Sequence, residues 1–573
     1  MKHRGLDILC FAGIAAFVAV FLLVPIWKSL HGAIHDHHGW TLFHVMDVFR
    51  DPMLRAGLIN SLLIATCTTV VATLLALPIA LVCARCDFPG KGVLNALLLA
   101  PLILPPFVGA IGVEAIIGRT GSLNALLLDL GVISTRLELF AEGGMPAIIL
   151  MIALSLFPIL SLNLTAALSN LDPALDEAAR NLGAGAWTRF RTITLPLLRP
   201  GFFAGATIVF VWSFTELGTP LMFQYRTVTS VQIFDGLKEV ETSRQPYALT
   251  LVMFTVATSI YLLGRFTLGR TRGAVSTKAS IRATPRKLSR AGTIGAWFLL
   301  GGIALVACLP HIGVILSAVS MPGGWYDRVL PQTWTLVNFT NALHHPLAAG
   351  AIRNSLLLAL SAVLIDVVIG IAAARILVRT TLPGRWLLDA LVMLPIAVPG
   401  LVLAFGYISM SLDWPFAAGG PLDFVGNIMG AQPNPFPFLV AAYAMRRLPY
   451  VVRSTVAGLE QTPVDLEEAA ASTGARPGLI LRRIVIPLVF ANVVAGALLA
   501  FSFSMLEVSD SLLLAQRESD FPVTKAIYTL YDRLGDGPAI ASAMGTWAMM
   551  LLAATLIATS SILGKRMGAL FRG

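Results

Sequence analysis

Arg446 and Arg447 are adjacent cations inside a stretch, 436–458, that is otherwise apolar enough to lie in lipid. Ionisable groups at that depth are costly and mark either function or a compensating charge. Asp366 falls in the middle of another apolar stretch, Glu216 and Glu507 lie toward the outer ends of two more, and Glu114 nears the end of a fourth. Two chemistries fit the arginines. They could attract an anionic solute along a pathway, or they could be internal counter-ions, of Asp366 or Glu507, that hold helices together. The cost of an unpaired charge in a bilayer favours an ion pair for at least one of them. Glu216 and Glu507 occupy matched places in two similar parts of the chain, so they are expected to line a shared outer gate.

A second concentration of reactive side chains is His31, His35, His37 and His38, with Asp36 and His44. Imidazole clusters of this kind can bind divalent metal, though the same composition also suits a solvated loop. The five cysteines are scattered and suggest no disulfide framework; Cys83-x-x-Cys86 has redox spacing without a redox context. No G-x-x-x-x-G-K-[ST] occurs, so the chain has no phosphate cradle of its own and must depend on a partner for any ATP chemistry. H-E-x-x-H and G-x-S-x-G are missing as well, which argues against a membrane protease or esterase.

These residues must be positioned by membrane helices. Of the 573 residues, 56% are hydrophobic and 13% charged, with mean hydropathy +0.79. Globular chains carry about 25% charge. A spanning helix needs about 20 mostly apolar residues. Candidates lie near 7–27, 58–82, 92–117, 147–168, 201–222 and 248–268, then near 294–320, 354–376, 386–411, 436–458, 488–512 and 540–564. The first is read as an anchor rather than a signal peptide, because it is long and lacks a small-x-small cleavage site. Twelve crossings place both termini on one side. With the termini inside, inner segments hold 25 Lys and Arg against 13 outside, so the termini are expected in the cytoplasm. The formal charge of +10 then orients the chain, and lipid phosphate is a better match for it than nucleic acid.

The chain is internally repeated. Asn60-Ser61-Leu62-Leu63, Pro89-Gly90, Pro101 and Pro105 recur 294 positions later as Asn354-Ser355-Leu356-Leu357, Pro383-Gly384, Pro395 and Pro399. Pro158, Glu177, Gly183, Pro196 and Glu216 recur 291 positions later as Pro449, Glu468, Gly474, Pro487 and Glu507. Six spans per half give both halves the same orientation, a parallel repeat about an axis normal to the membrane. The expected organisation is a first repeat at 1–268, a basic cytoplasmic linker at 269–293 and a second repeat at 294–573. The fold class is an all-α polytopic membrane protein with a pathway between two six-helix halves.

One inner loop in each half has helix punctuation. Asp172 is a good N-cap, Pro173 suits the first helical position and Gly183 a stop, which predicts a helix of about ten residues outside the membrane. Thr462-Pro463-Val464-Asp465 resembles a capping box opening a second such helix, ended by Gly474. Ala178, Ala179, Ala469 and Ala470 would allow close approach to a protein cleft. Two copies at the same place favour docking over resting on lipid.

Glu177-Ala178-Ala179 with Gly183, and Glu468-Ala469-Ala470 with Gly474, each followed by Leu195-Pro196 or Ile486-Pro487, resemble the EAA loop of transmembrane subunits of binding-protein-dependent ABC importers. Both repeats match, over nearly the whole chain outside the linker and the first span of each half. Fused chains of this length are similar to the ferric-iron, thiamine and 2-aminoethylphosphonate branch. Sulfate, molybdate, polyamine and maltose permeases usually keep the halves separate. The resemblance implies that these residues couple to an ABC ATPase homodimer, which holds the ATP and Mg, while this chain binds no cofactor. It also implies a periplasmic or lipid-anchored substrate-binding protein outside and a bacterial inner-membrane location. Arg180, matched by Ala471, makes the two docking surfaces unequal. The expected cargo is a small polar solute, ferric iron or an anion such as 2-aminoethylphosphonate. An ion-coupled secondary transporter is the competing class, and it would have no use for two docking loops.

Overall fold

A computed structural model describes residues 4–36, 39–138, 144–267, 286–426, 428–429 and 433–563. The first half comprises α1 (Arg4–Val18), α2 (Val24–Ile34), α3 (Pro52–Arg85), α4 (Lys91–Leu99), α5 (Pro106–Ile117), α6 (Met145–Ser169), α7 (Pro173–Asn181), α8 (Leu195–Phe214), α9 (Gly218–Met222) and α10 (Gln245–Thr267). The second comprises α11 (Arg290–Ala318), α12 (Pro346–Arg379), α13 (Arg385–Ala397), α14 (Gly400–Ser411), α15 (Phe436–Glu460), α16 (Asp465–Ser472), α17 (Ile486–Met505), α18 (Ser509–Leu514) and α19 (Gly537–Leu563). Helices α3 and α12 are both 34 residues long and start 294 positions apart, as the repeat requires.

Lipid, not water, is the solvent of these helices, so their outer faces are apolar. On α12, Leu360, Leu364 and Val368 are exposed while Leu358, Ala362 and Asp366 are buried, a four-residue period that turns one stripe inward. Among the described residues ten helices are long and apolar enough to cross a membrane, eleven if α13 and α14 count as one bent span. The remaining expected span is α15. It has 25 residues, as does its mate α6, but it carries Arg446, Arg447 and Arg453.

Two expected spans are not continuous. The stretch 92–117 breaks at Leu104-Pro105, and 386–411 bends by 102° between α13 and α14 at Val398-Pro399. Proline denies the helix an N–H, and its ring pushes the preceding residue into extended geometry. Leu104 (ψ 119°) and Val398 (ψ 125°) both adopt it. The stretches 201–222 and 488–512 also stop early, at Phe214 and Met505, before the short helices α9 and α18.

The first span of each half packs on the other half. Tyr407 of α14 donates to the Phe21 carbonyl at 2.5 Å, Arg375 of α12 pairs with Asp7 at 3.0 Å, and a Cβ on Gly406 would lie 2.6 Å from the Pro25 carbonyl. Reciprocally, α11 lies against α5, where a Cβ on Gly112 would come within 2.0 Å of the Pro310 carbonyl. Only glycine permits such backbone contact between membrane helices. The linker's end is zipped to the first half. Arg286–Lys287 pairs in parallel with Cys86–Asp87, and Trp297 donates to the Pro89 carbonyl at 3.0 Å. Residues 269–285 of the expected linker lie outside the described residues.

Candidate functional site: the coupling helices and the central charge cluster

Helix α7 begins as its residues dictate. The Asp172 carboxylate accepts from the Ala174 N–H at 2.9 Å, and Pro173 takes the first turn. It ends at Gly183 with φ +81°, where the Gly183 N–H donates to Arg180 and the Ala184 N–H to Ala179. This paired closure satisfies the last carbonyls and requires the left-handed backbone that glycine tolerates. Helix α16 closes identically at Gly474, φ +86°, with Gly474 bonded to Ala471 and Ala475 to Ala470. Its start differs from expectation. Thr462 does not cap it, because its hydroxyl donates back to the Gly458 carbonyl at 3.0 Å, and α16 begins at Asp465 without a side-chain cap.

Neither helix buries a residue. Glu177, Ala178, Glu468 and Ala469 are exposed, Ala179 and Ala470 are partly so, and the apolar Leu182 is 88% exposed beside them. Pro196 and Pro487 stand at the first turn of α8 and α17, each preceded by a five-residue π-helical turn, Phe190–Thr194 and Leu481–Val485. The missing proline N–H leaves the ladder open there, and π turns often accompany functional segments. Two exposed helices closed by glycine therefore lead through matched irregular turns into the fifth long helix of each half.

The intramembrane residues converge where helices break. Glu507 follows the end of α17, and one carboxylate holds both arginines. Arg446 Nη1 is 2.5 Å from Oε1, and Arg447 Nη2 is bonded to Oε2. Arg446 also reaches Asp510 at 3.5 Å, and Arg447 donates to the Phe503 carbonyl at 3.0 Å. The Arg446 guanidinium rests on Gly400, where a Cβ would stand 2.1 Å from Nη1, so the glycine after the Pro399 bend makes its room. The cluster thus joins the break in α13–α14 to the break in α17–α18. Of the two partners expected for the arginines, Glu507 is found and Asp366 is not. Asp366 is fully buried near Arg447, with neither carboxyl oxygen hydrogen-bonded among the described residues.

Glu216 is related to Glu507 in backbone but not in charge. Ser230 donates to the Glu216 carbonyl and its repeat mate Thr524 to the Glu507 carbonyl, at 2.7 and 2.6 Å. The Glu216 carboxylate, however, is held by Thr219, through N–H at 3.1 Å and hydroxyl at 3.0 Å. Positions matching Arg446, Arg447 and Asp510 are Ser155, Leu156 and Thr219. Gly218, two residues after Glu216, lies against Phe107 of its own half and Val508, next to Glu507, of the other, so the halves also meet here.

Sequence reasoning missed Asp510, although its place three residues after Glu507 was a signal. It also missed what the repeated Asn-Ser does. Asn60 donates to the Thr227 carbonyl and Ser61 accepts from the Thr229 N–H, while Asn354 and Ser355 do the same to Phe521 and Val523. Glu114 is bonded to the Tyr531 hydroxyl.

Of the four clustered histidines, His31 and His35 are described. His31 stacks on His35 at 4.8 Å with Trp40 edge-on to both, and the pair lines a cavity of about 720 Å³ with Lys28, Arg244, Tyr247 and Asp413. Among the described residues no three His, Cys, Asp or Glu gather as a metal site. His37 and His38 lie outside the described residues.

The sequence profile of the binding-protein-dependent transport system inner membrane component matches twice, over residues 76–270 and 366–569. The chain belongs to that family. It is an ABC importer permease with two fused copies of the permease domain. It is 27% identical over 498 residues to a probable ABC transporter permease of Sinorhizobium fredii, covering 85% of this chain and 84% of the relative. A putative ferric transport system permease of Haemophilus influenzae is 26% identical over 530 residues, covering 90% of this chain and 78% of the relative. The molybdenum transport permease of Escherichia coli is 38% identical over 139 residues, 24% of this chain and 58% of the relative. Both matched domains of this permease omit its first and seventh long helices, the two that exchange between halves.

Proposed function

We propose that this permease imports ferric iron, accepting it from a periplasmic or lipid-anchored binding protein and powered by an ABC ATPase homodimer seated on α7 and α16. The observation that carries the ATPase reading is the matched pair of exposed helices with identical glycine closures. The chain itself supplies the pathway; ATP and Mg would be held by the partner. Both termini and the linker are assigned to the cytoplasm, the same side as α7 and α16.

Two observations support a cation over an anion such as 2-aminoethylphosphonate or molybdate. Relatives named for ferric transport align over 90% and 96% of this chain, in both fused halves, whereas the shorter permeases named for molybdenum or molybdate align over 47% of it or less. Both arginines are engaged by Glu507, and Glu216, Asp510 and Asp366 add carboxyl groups without adding cations. An anion would have to displace Glu507. Cells lacking the gene are expected to lose uptake of radiolabelled ferric iron and to keep uptake of molybdate and 2-aminoethylphosphonate. The opposite pattern would reject the cargo, and failure of a neighbouring ATPase to co-purify would reject the coupling.

A further inference from the structure

The two coupling helices are fastened differently. The last residue of α12, Arg379, is only 10% exposed, and its guanidinium donates to Glu467 at 2.7 Å, one residue before the Glu-Ala-Ala of α16. The same group donates to the Leu459 carbonyl at 3.1 Å and the Thr462 carbonyl at 2.8 Å, at the end of α15. One planar fork therefore joins α12, the C-terminus of α15 and the coupling helix. Such a group is rigid because its donors are fixed relative to one another. Helix α12 is in turn tied to α1 one turn earlier, through Arg375 and Asp7.

The first half has the same residue types at the matched places but joins them otherwise. Arg85, the mate of Arg379, ends α3 and donates to the Thr194 hydroxyl at 2.8 Å, in the π turn after the coupling helix. Asp176, the mate of Glu467, pairs with Arg189 at 3.1 Å, thirteen residues along its own loop. The residues matching Thr194 and Arg189 are Val485 and Ile480, which cannot make these bonds. Helix α7 is thus linked to the bundle in two steps through a loop, and α16 in one.

We infer that Arg379 and Glu467 are a positioning pair that locks α16 to the bundle, so that the second half follows its ATPase subunit directly and the first half follows with slack. The inference rests on the assignment of α7 and α16 as ATPase-docking helices. It concerns force transmission only, since neither residue is placed in the pathway. Helices α12 and α15 carry Asp366, Arg446 and Arg447, so movement of α16 would reach the charge cluster without an intervening loop.

The test uses the full chain with its ATPase in nanodiscs, in a background without the native cysteines. Spin labels at Ala471→Cys and Thr381→Cys report on the second half, and labels at Arg180→Cys and Asp87→Cys report on the first. Between the nucleotide-free and the ADP–vanadate-trapped states, the 471–381 distance is expected to stay fixed while the 180–87 distance shifts. Glu467→Gln removes the charge pair yet leaves Arg379 its two carbonyls, and it should make the 471–381 distance shift as well. Arg379→Ala should do so more strongly, whereas Arg85→Ala should leave the second-half pair fixed. Equal shifts in the two halves of the unaltered protein, or no effect of Glu467→Gln, would overturn the proposal. If ATPase binds but trapping moves neither pair, the docking assignment itself fails and the proposal falls with it.

Discussion

At the scale of single residues, the charge cluster is the place where this permease departs most from ordinary membrane packing. Arg447 is 12% and Glu507 4% exposed, so removing Arg447 leaves Glu507 with Arg446 alone and takes the cation from its Oε2 in low dielectric. Leaving a buried charge wholly unpaired typically costs about 3–5 kcal/mol, and the remaining Arg446 lowers the cost below that. Arg447→Gln is therefore expected to lower the yield of folded protein in detergent, and Arg447→Gln with Glu507→Gln to recover much of it. Size-exclusion profiles of the single and double variants would measure this. Asp366→Asn should not rescue the arginine variant, because Asp366 makes no ion pair with it. Normal yield of the single variant with lost transport would instead place Arg447 on the pathway.

At the scale of elements, the decisive features are where helices stop. Gly183 and Gly474 sit at φ near +80°, which proline, fixed near −65°, cannot adopt. Their N–H groups also close α7 and α16. Gly183→Pro or Gly474→Pro should leave the protein in the membrane and abolish transport, read as solute uptake against immunoblotted membrane fractions. Transport at the unaltered rate with ATPase bound would refute the coupling role. The breaks at Pro105 and Pro399 act on a different place. They end one helix and start another within the membrane's reach, and the second makes the space beside Gly400 that Arg446 fills.

For the whole molecule, exchange of the first spans binds the two halves into one unit. Helices α2 and α11 each pack on the opposite half through glycine contacts that leave no room for a methyl group. The basic linker is then a covalent tether between halves that already interlock. Its side of the membrane is testable in a cysteine-free background. A cysteine introduced between 270 and 285 should be protected from an impermeant thiol reagent in intact cells, and one introduced between 418 and 426 should react. Labelling of the linker from outside would invert the topology.

The sequence by itself determined the membrane class, the two parallel repeats and the position and ends of α7, because hydropathy, repeat spacing and capping chemistry are local properties. Asp172, Pro173 and Gly183 act on backbone groups within three residues of themselves, so their effect is readable from order alone. The start of α16 was misread where Thr462 found a competing acceptor one turn earlier, at Gly458. What only the tertiary structure decided is which distant groups meet. Asp366 and Glu507 were equally available to the arginines in the sequence. The choice fell to Glu507 because the Pro399 bend and the end of α17 bring Gly400, Arg446 and Glu507 to one point. Repeat spacing likewise aligned Arg85 with Arg379 and Asp176 with Glu467. Only packing showed that one pair closes on itself while the other is drawn apart by Thr194 and Arg189, since a side chain's partner depends on what the folded chain places within its reach.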